Sequence, residues 1–193
     1  LLKQRDTLAG QKVLTVLCGA NVDFEQLAWI ARHAGIGAAR RKYYRCQMSE
    51  APGGLLHLLD SVMEGINIIE VQYGKVHDEK AFPVIGFEAS PPALQLLDAR
   101  MTEHAILHEE VTSETDVEFR IINYEPHLFQ HPYFITLEFP ERAGALRDFL
   151  QAVQTRNSIC YFNYTYTGEQ VGHALIGFEF DSEALRQEFR NHL

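Results

Sequence analysis

The sequence is short of positive charge. Seventeen Lys and Arg stand against 26 Asp and Glu, a formal net charge of -9. A surface that binds nucleic acid needs a basic stripe to meet the phosphates. The one basic run, Arg40-Arg41-Lys42, reads as a solvated linker, so no nucleic-acid partner is expected. Long apolar runs are missing too. None approaches the ~20 residues of a membrane span, so no membrane partner is expected. The start, Leu1-Leu2-Lys3-Gln4-Arg5-Asp6, is charged too early for a signal peptide. It does not open on Met, and the chain is expected to be a fragment or a processed product. Cysteine is sparse. Cys18, Cys46 and Cys160 are odd in number and widely spaced, which excludes a disulfide scaffold or a zinc framework and fits free thiols in a reducing compartment. There is no G-x-S-x-G elbow and no P-loop. His104/His108 and His127/His131 stand four apart, a spacing that chelates a metal only on a helix. The first pair reads as strand and the second as a Pro-flanked loop, so no metal is expected. Cys18 has no evident base nearby, and the chain alone is not expected to be catalytic.

What the sequence does have is a repeat. An offset of 91 residues superposes Glu50 on Glu141, Gly53 on Gly144, Leu55 on Leu146, Ile68 on Ile159 and Tyr73 on Tyr164. It also places Ile85-Gly86-Phe87-Glu88 on Ile176-Gly177-Phe178-Glu179. Self-similarity at one offset marks a duplicated supersecondary unit. Two copies point to a pair of like domains rather than a solenoid.

The elements follow from periodicity. Val13, Leu14, Val16 and Leu17 form a near-continuous apolar run, as in a strand buried on both faces. Gly19-Ala20-Asn21 turns the chain, and Asn21 or Asp23 is placed to cap a helix over Phe24 to His33. In the first copy a strand is expected over 43–48, a helix from Leu55 to Gly65, strands over 66–73 and 81–88, a helix from Ser90 to Thr102, and a strand over 105–111. That order is βαββαβ, the ferredoxin-like arrangement. A possible strand over 117–122 lies in the bridge. The second copy repeats strand 133–139, helix 144–155, strands 158–166 and 171–180, and helix 182–192, with no last strand.

The duplicated turn is the first candidate site. Glycine lets backbone N–H groups approach a ligand, and a helix N-terminus favours a carboxylate. A purely structural turn is the competing reading. Tyr73 and Tyr164 are the second candidate, because an apolar ring with a polar tip suits a small amphipathic ligand. Ordinary sheet packing competes there.

Particular stretches resemble a known family. Cys18-Gly19-Ala20-Asn21-Val22-Asp23-Phe24 resembles the turn that closes the catalytic domain of fold-type II pyridoxal-phosphate (PLP) enzymes, in the form typical of biosynthetic threonine ammonia-lyase (threonine dehydratase). Phe139-Pro140-Glu141 with Gly144-Ala145-Leu146 resembles that family's Phe-Pro-Glu-x-Pro-Gly-Ala-Leu signature. Ser158-Ile159 and Phe162-Asn163-Tyr164 resemble its following strand. The resemblance implies an α+β chain: residues 1–38 as the end of a PLP catalytic domain, an ACT-like domain over 43–111, a connector over 112–132, and a second ACT-like domain over 133–193 with its last strand missing. It implies an effector site at Glu141, Gly144, Ala145, Leu146 and Tyr164, and another at Glu50, Gly53, Leu55 and Tyr73. A branched-chain amino acid, isoleucine or valine, would be the ligand. Cys18 would face PLP once the full catalytic domain is present. The chain itself would hold no cofactor, since none of its lysines sits in the family's Schiff-base setting. The parent would be a homo-oligomer, cytoplasmic, or plastid or mitochondrial in a eukaryote. Two positions depart from the pattern. The family's Arg after the tyrosine is Gly74 in one copy and Thr165 in the other, and the Pro before the turn glycine is Ala143 in the second. A module that only assembles subunits is the alternative function.

Overall fold

The computed structural model describes residues 7–12, 23–62, 66–140, 142, 144–153, 157–166 and 171–192. The chain divides into two compact units, Leu1–Ala34 and Gly35–Leu193. Helix α1, Phe24–Gly37, begins in the first. Asp23 caps it, its Oδ1 accepting the Gln26 N–H at 2.7 Å, which satisfies one of the donors a helix start leaves open. The strand expected after Lys12 and the Cys18-Gly19-Ala20-Asn21 turn lie outside the described residues.

The second unit carries β1 (Arg41–Cys46), β2 (Met48–Ser49), α2 (Gly54–Val62), β3 (Asn67–Gly74), β4 (Lys80–Ala81), β5 (Val84–Glu88), α3 (Pro91–Glu103) and β6 (His108–Glu110). A short helix α4 (Thr115–Glu118) and a 3-10 turn (Pro126–Leu128) follow. Then come β7 (Tyr133–Pro140), α5 (Ala145–Val153), β8 (Ser158–Thr165), β9 (Val171–Glu179) and α6 (Glu183–His192). Seven strands form one sheet in the order β6-β1-β5-β3-β8-β9-β7. The first four strands with α2 and α3 are a ferredoxin-like unit. β7, α5, β8, β9 and α6 repeat it as far as the second helix. The architecture is the expected α+β one.

The repeats meet where β3 pairs antiparallel with β8. Gln72 lies opposite Asn163, and these two are repeat partners, so a pseudo-twofold axis passes between them. The symmetry reaches fine detail. A bulge at Ile68/Glu70 in one copy has its counterpart at Ile159/Tyr161 in the other. The Tyr43 ring lies over Gly86, and the Phe134 ring lies over Gly177.

One face of the sheet carries the helices. α2 buries Leu55, Leu58, Leu59 and Val62, and α5 buries Leu146 and Leu150. Against them the strands bury Tyr44, Ile85, Phe87, Phe162, Ile176 and Phe178. Each such side chain contributes roughly 1.5–3 kcal/mol. α2 and α5 are also linked at the surface by an ion pair from Arg147 to Asp60.

The opposite face is crossed by the segment after β6. Here the structure corrects the expected strand over 117–122. Glu118 N–H bonds Glu114 O at 3.0 Å and Phe119 N–H bonds Thr115 O at 2.9 Å, so the chain coils into α4. Of the alternating Val117, Phe119 and Ile121, only Val117 is buried, while the other two are exposed. Alternation without a neighbouring strand to bury one side does not make a sheet. The last strand of the first copy is also shorter than expected, because Ala105 turns the chain at φ 54°.

This crossing segment anchors a buried polar cluster at the axis. Glu70, 3 % exposed, pairs with Arg120 Nη1 at 2.5 Å. It accepts from Tyr43 Oη at 3.1 Å and from Gln72 Nε2 at 2.6 Å. Arg120 also donates to Asn163 Oδ1 and, at 3.1 Å, to Tyr164 O. One guanidinium therefore ties both repeats to the connector. Removing one partner strands the other charge in a dry site. Arg120→Ala is expected to destabilise the second unit by about 2–3 kcal/mol, less than a fully buried pair because the guanidinium keeps some water. Urea denaturation checks this. The double variant Glu70→Leu/Arg120→Leu should regain part of the loss, and a midpoint unchanged in Arg120→Ala would refute the anchoring role.

Candidate functional site

The two turns are the same object in detail. Gly53 has φ 82° and Gly144 φ 83°, a left-handed conformation that glycine enters without strain. Gly54 N–H bonds Ala51 O at 3.0 Å, and Ala145 N–H bonds Arg142 O at 3.1 Å. His57 N–H bonds Gly53 O and Asp148 N–H bonds Gly144 O, both at 2.9 Å. Each turn delivers its chain into a helix whose first-turn N–H groups lack intrahelical partners.

In the first copy the structure gathers the expected residues. Glu50, Leu55 and Tyr73 line one pocket with Met48, Pro83 and Ile159. Gly53 sets the turn but is not part of the lining. Ile159 comes from β8, so the pocket spans the junction of the repeats. Its neighbours are short of space: the centre of a water molecule has only ≈ 10 Å³, about one water's worth. The pocket is closed by its own polar groups. Tyr73 Oη donates to Glu50 Oε2. Burial pushes the Glu50 carboxyl above the usual carboxylate range, partly offset by the Tyr73 hydrogen bond. Burial, then the Glu50 charge, pushes the Tyr73 phenol up.

Behind this pair runs a second buried ion pair that the sequence does not announce. Lys75 Nζ meets Glu179 Oε2 at 2.8 Å, both side chains almost fully buried. Glu179 Oε1 accepts the Gln130 N–H at 2.8 Å, and Lys75 N–H bonds Cys160 O at 2.8 Å. Glu179 belongs to the repeated Ile-Gly-Phe-Glu run, which was the available signal. Nothing in the sequence marked Lys75, Ile159 or Arg120 as partners of the site.

In the second copy Ala145, Leu146 and Tyr164 are buried, and Gly144 holds the matching turn. Glu141 and Cys18 lie outside the described residues. The missing Arg after Tyr73 has a steric reason. A Cβ on Gly74 would come within 2.3 Å of Asn123 O, because the connector lies directly on β3 there. A guanidinium reaches the junction from the connector, that of Arg120.

The remaining sequence candidates are the paired histidines. His108 bonds Ile106 O at 2.8 Å and pairs with Asp98 at 3.2 Å. No cluster of metal-ligating side chains occurs among the described residues. Burial pushes the Cys46 and Cys160 thiols up to about 12, which leaves them protonated and poor nucleophiles. No helix among the described residues is long and apolar enough to cross a membrane.

Comparison with known proteins shows what this chain is similar to. Residues 129–193 match the model of the C-terminal regulatory domain of threonine dehydratase. The chain is 26% identical over 187 residues to the biosynthetic L-threonine dehydratase of Haemophilus influenzae, covering 92% of this chain and 35% of that protein. It is 28% identical over 191 residues to a threonine dehydratase of Nicotiana attenuata, covering 95% and 31%. It is 27% identical over 175 residues to the mitochondrial threonine dehydratase of Schizosaccharomyces pombe, covering 87% and 29%. The chain thus spans about a third of the length of the curated relatives it matches. Residues 129–193 thus resemble the C-terminal regulatory domain of threonine dehydratase, and the chain as a whole is similar to about a third of the length of biosynthetic threonine dehydratases.

Proposed function

We propose that this chain is the effector-sensing region of a PLP-dependent threonine ammonia-lyase, which converts L-threonine to 2-oxobutanoate and ammonia in isoleucine biosynthesis. The effector is a branched-chain amino acid, isoleucine or valine. Residues 1–38 end the catalytic domain, 43–111 and 133–193 are the two ACT-like domains, and 112–132 connect them. The parent is a homo-oligomer, cytoplasmic in a bacterium and mitochondrial or plastid in a eukaryote. The observation that carries the reading is the gathering of Glu50, Leu55 and Tyr73 at one pocket beside the paired β3 and β8. Glu141, Gly144, Ala145, Leu146 and Tyr164 make the twin site.

PLP chemistry is not assigned to these residues. The cofactor needs a lysine free to form its Schiff base. Among the described residues Lys42 is paired with Glu110 at 2.7 Å and Lys75 with Glu179, so neither fits. Cys18 would face the cofactor in the parent enzyme. On this reading the chain alone turns over no threonine.

The closed pocket supplies the switch. An amino acid can enter only when Tyr73 leaves Glu50. Its ammonium then takes the Glu50 carboxylate, its carboxylate the N-terminus of α2, and its branched tail the Leu55 and Ile159 side. A ligand that binds only the open arrangement shifts the population toward it by its differential affinity. Because Ile159 and Tyr73 belong to different repeats, opening is felt across the β3–β8 junction.

A second reading, assembly without a small ligand, is favoured by β7, which pairs with β9 on one edge and lies at the end of the sheet order. Isothermal titration of the chain with isoleucine and valine separates the two. The effector reading expects saturable heat, tightened in Tyr73→Phe, which lacks the hydroxyl that holds the pocket shut, and weakened about tenfold or more in Glu50→Gln, which loses the charge that takes the ammonium. No heat with either amino acid at millimolar concentration would leave assembly as the function.

The Glu50 latch also has a pH signature. Its folded-state carboxyl binds protons more tightly than the unfolded one, so this group favours the folded state less as pH rises out of the carboxylate range. Glu50→Gln keeps an acceptor for Tyr73 and removes the charge. The variant should melt higher than the parent at neutral pH, with the gap closing toward about pH 4. A gap that is independent of pH would show that the buried charge is not what strains the pocket.

A further inference from the structure

A cavity lies on the other face of the sheet, away from both turns. It offers ≈ 290 Å³, near the low end of ligand pockets at roughly 300–1,000 Å³. Its floor is β3 and its roof the segment after β6. Val76, Phe82, Val84 and Ile121 give it an apolar wall, and Gln72 and Asp116 a polar one. Gly74 keeps part of it open, since any side chain there would collide with the connector.

The polar wall carries two acceptors, Gln72 and Asp116, beside the Arg45 guanidinium and the Asn123 amide. Gln72 is 5 % exposed. Its amide nitrogen is fixed by two acceptors, Glu70 Oε1 at 2.6 Å and Val117 O at 2.9 Å. That settles which end of the amide is which, and leaves Oε1 with no protein donor among the described residues. The rest of the side chain is buried, so this oxygen meets a donor from outside the protein only at the cavity. The repeat partner does not share this state: Asn163 Oδ1 accepts from Arg120. Asp116 has no side-chain hydrogen bond or ion pair among the described residues and brings a negative charge to the same cavity. The one cation in the lining, Arg45, is already committed to Glu114 at 2.5 Å and to Glu109 at 3.5 Å. A carboxylate would have to compete with two protein carboxylates for it.

We infer that this cavity is a second small-molecule site, which holds a primary ammonium group with a short branched aliphatic tail. The ammonium donates to Gln72 Oε1 and to the Asp116 carboxylate. The tail lies against Val76, Phe82, Val84 and Ile121. The ligand can be a free amine or an aliphatic amino acid, because the recognised groups are common to both. The site is separate from the Glu50–Tyr73 pocket and does not depend on it.

Isothermal titration of the chain with isobutylamine, L-valine and 3-methylbutanoate tests the assignment. Isobutylamine should bind saturably and 3-methylbutanoate should not. Asp116→Asn removes the charge at an exposed position, and Val76→Trp fills the cavity from a half-exposed one. Each should weaken isobutylamine about tenfold or more, while Tyr73→Phe leaves it unchanged. Valine binding comparable to isobutylamine identifies an amino acid as the ligand class, and isobutylamine alone identifies an amine. The inference is overturned if isobutylamine gives no saturable heat at millimolar concentration, if its affinity is unmoved in both cavity variants, or if 3-methylbutanoate binds equally. Valine binding that survives in Asp116→Asn and Val76→Trp but fails in Glu50→Gln assigns valine to the turn pocket, and isobutylamine lost in both cavity variants then identifies an amine as the ligand here.

Discussion

The pairing of β3 with β8 is the constraint on which the rest of this structure depends. It joins two ferredoxin-like repeats into one sheet and brings Tyr73, Ile159 and the first turn to one place. Hydrogen bonds along two strands would not alone fix it, because a strand can slip in register. The buried cluster of Glu70, Arg120, Gln72 and Asn163 supplies the missing specificity. A slip of one residue would turn Glu70 away from its guanidinium and toward the apolar side, at the penalty of an unpaired buried charge. Arg120 arrives from the connector, so the connector is part of the joint rather than a passive tether.

The two faces of the sheet divide the labour. The helix face is apolar and carries a pocket held shut by a carboxylate and a phenol. The opposite face is polar at the axis, with the Lys75–Glu179 pair beside it. The Glu70–Arg120 pair and the pocket share β3, whose side chains alternate between the faces, and Lys75 follows directly after it. A change at Tyr73 on one side is therefore one peptide unit from Gln72 on the other. This is a short physical route by which a ligand at the turn can alter the joint between repeats.

Much of this was legible in the residues. The offset of 91 located both glycine turns, both tyrosines and the Ile-Gly-Phe-Glu strands, and the pattern of apolar residues placed most helices and strands within a few positions. Repeats are readable because matched environments keep matched residues. What escaped was whatever breaks the symmetry. The stretch Val117 to Ile122 alternates like a strand, but no strand lies beside it, so it coils and buries only Val117. Arg120 has no repeat partner and no local motif, and its role arises from contacts more than forty residues away in sequence. The loss of an Arg at Gly74 was visible, but its reason was not: only the course of the connector over β3 shows that no side chain fits there. The closure of the first pocket was likewise invisible, since both Glu50 and Tyr73 read as groups awaiting a ligand.

The central claim is that an effector is sensed at the joint between the repeats. Hydrogen exchange of the chain with and without isoleucine tests it most directly, since exchange reports local opening along the backbone. The account predicts altered protection in the Glu50–Leu55 turn together with both β3 and β8, with β6 at the far edge unaffected. Protection changes confined to one repeat, or absent from β3 and β8 while isoleucine is bound, would contradict it.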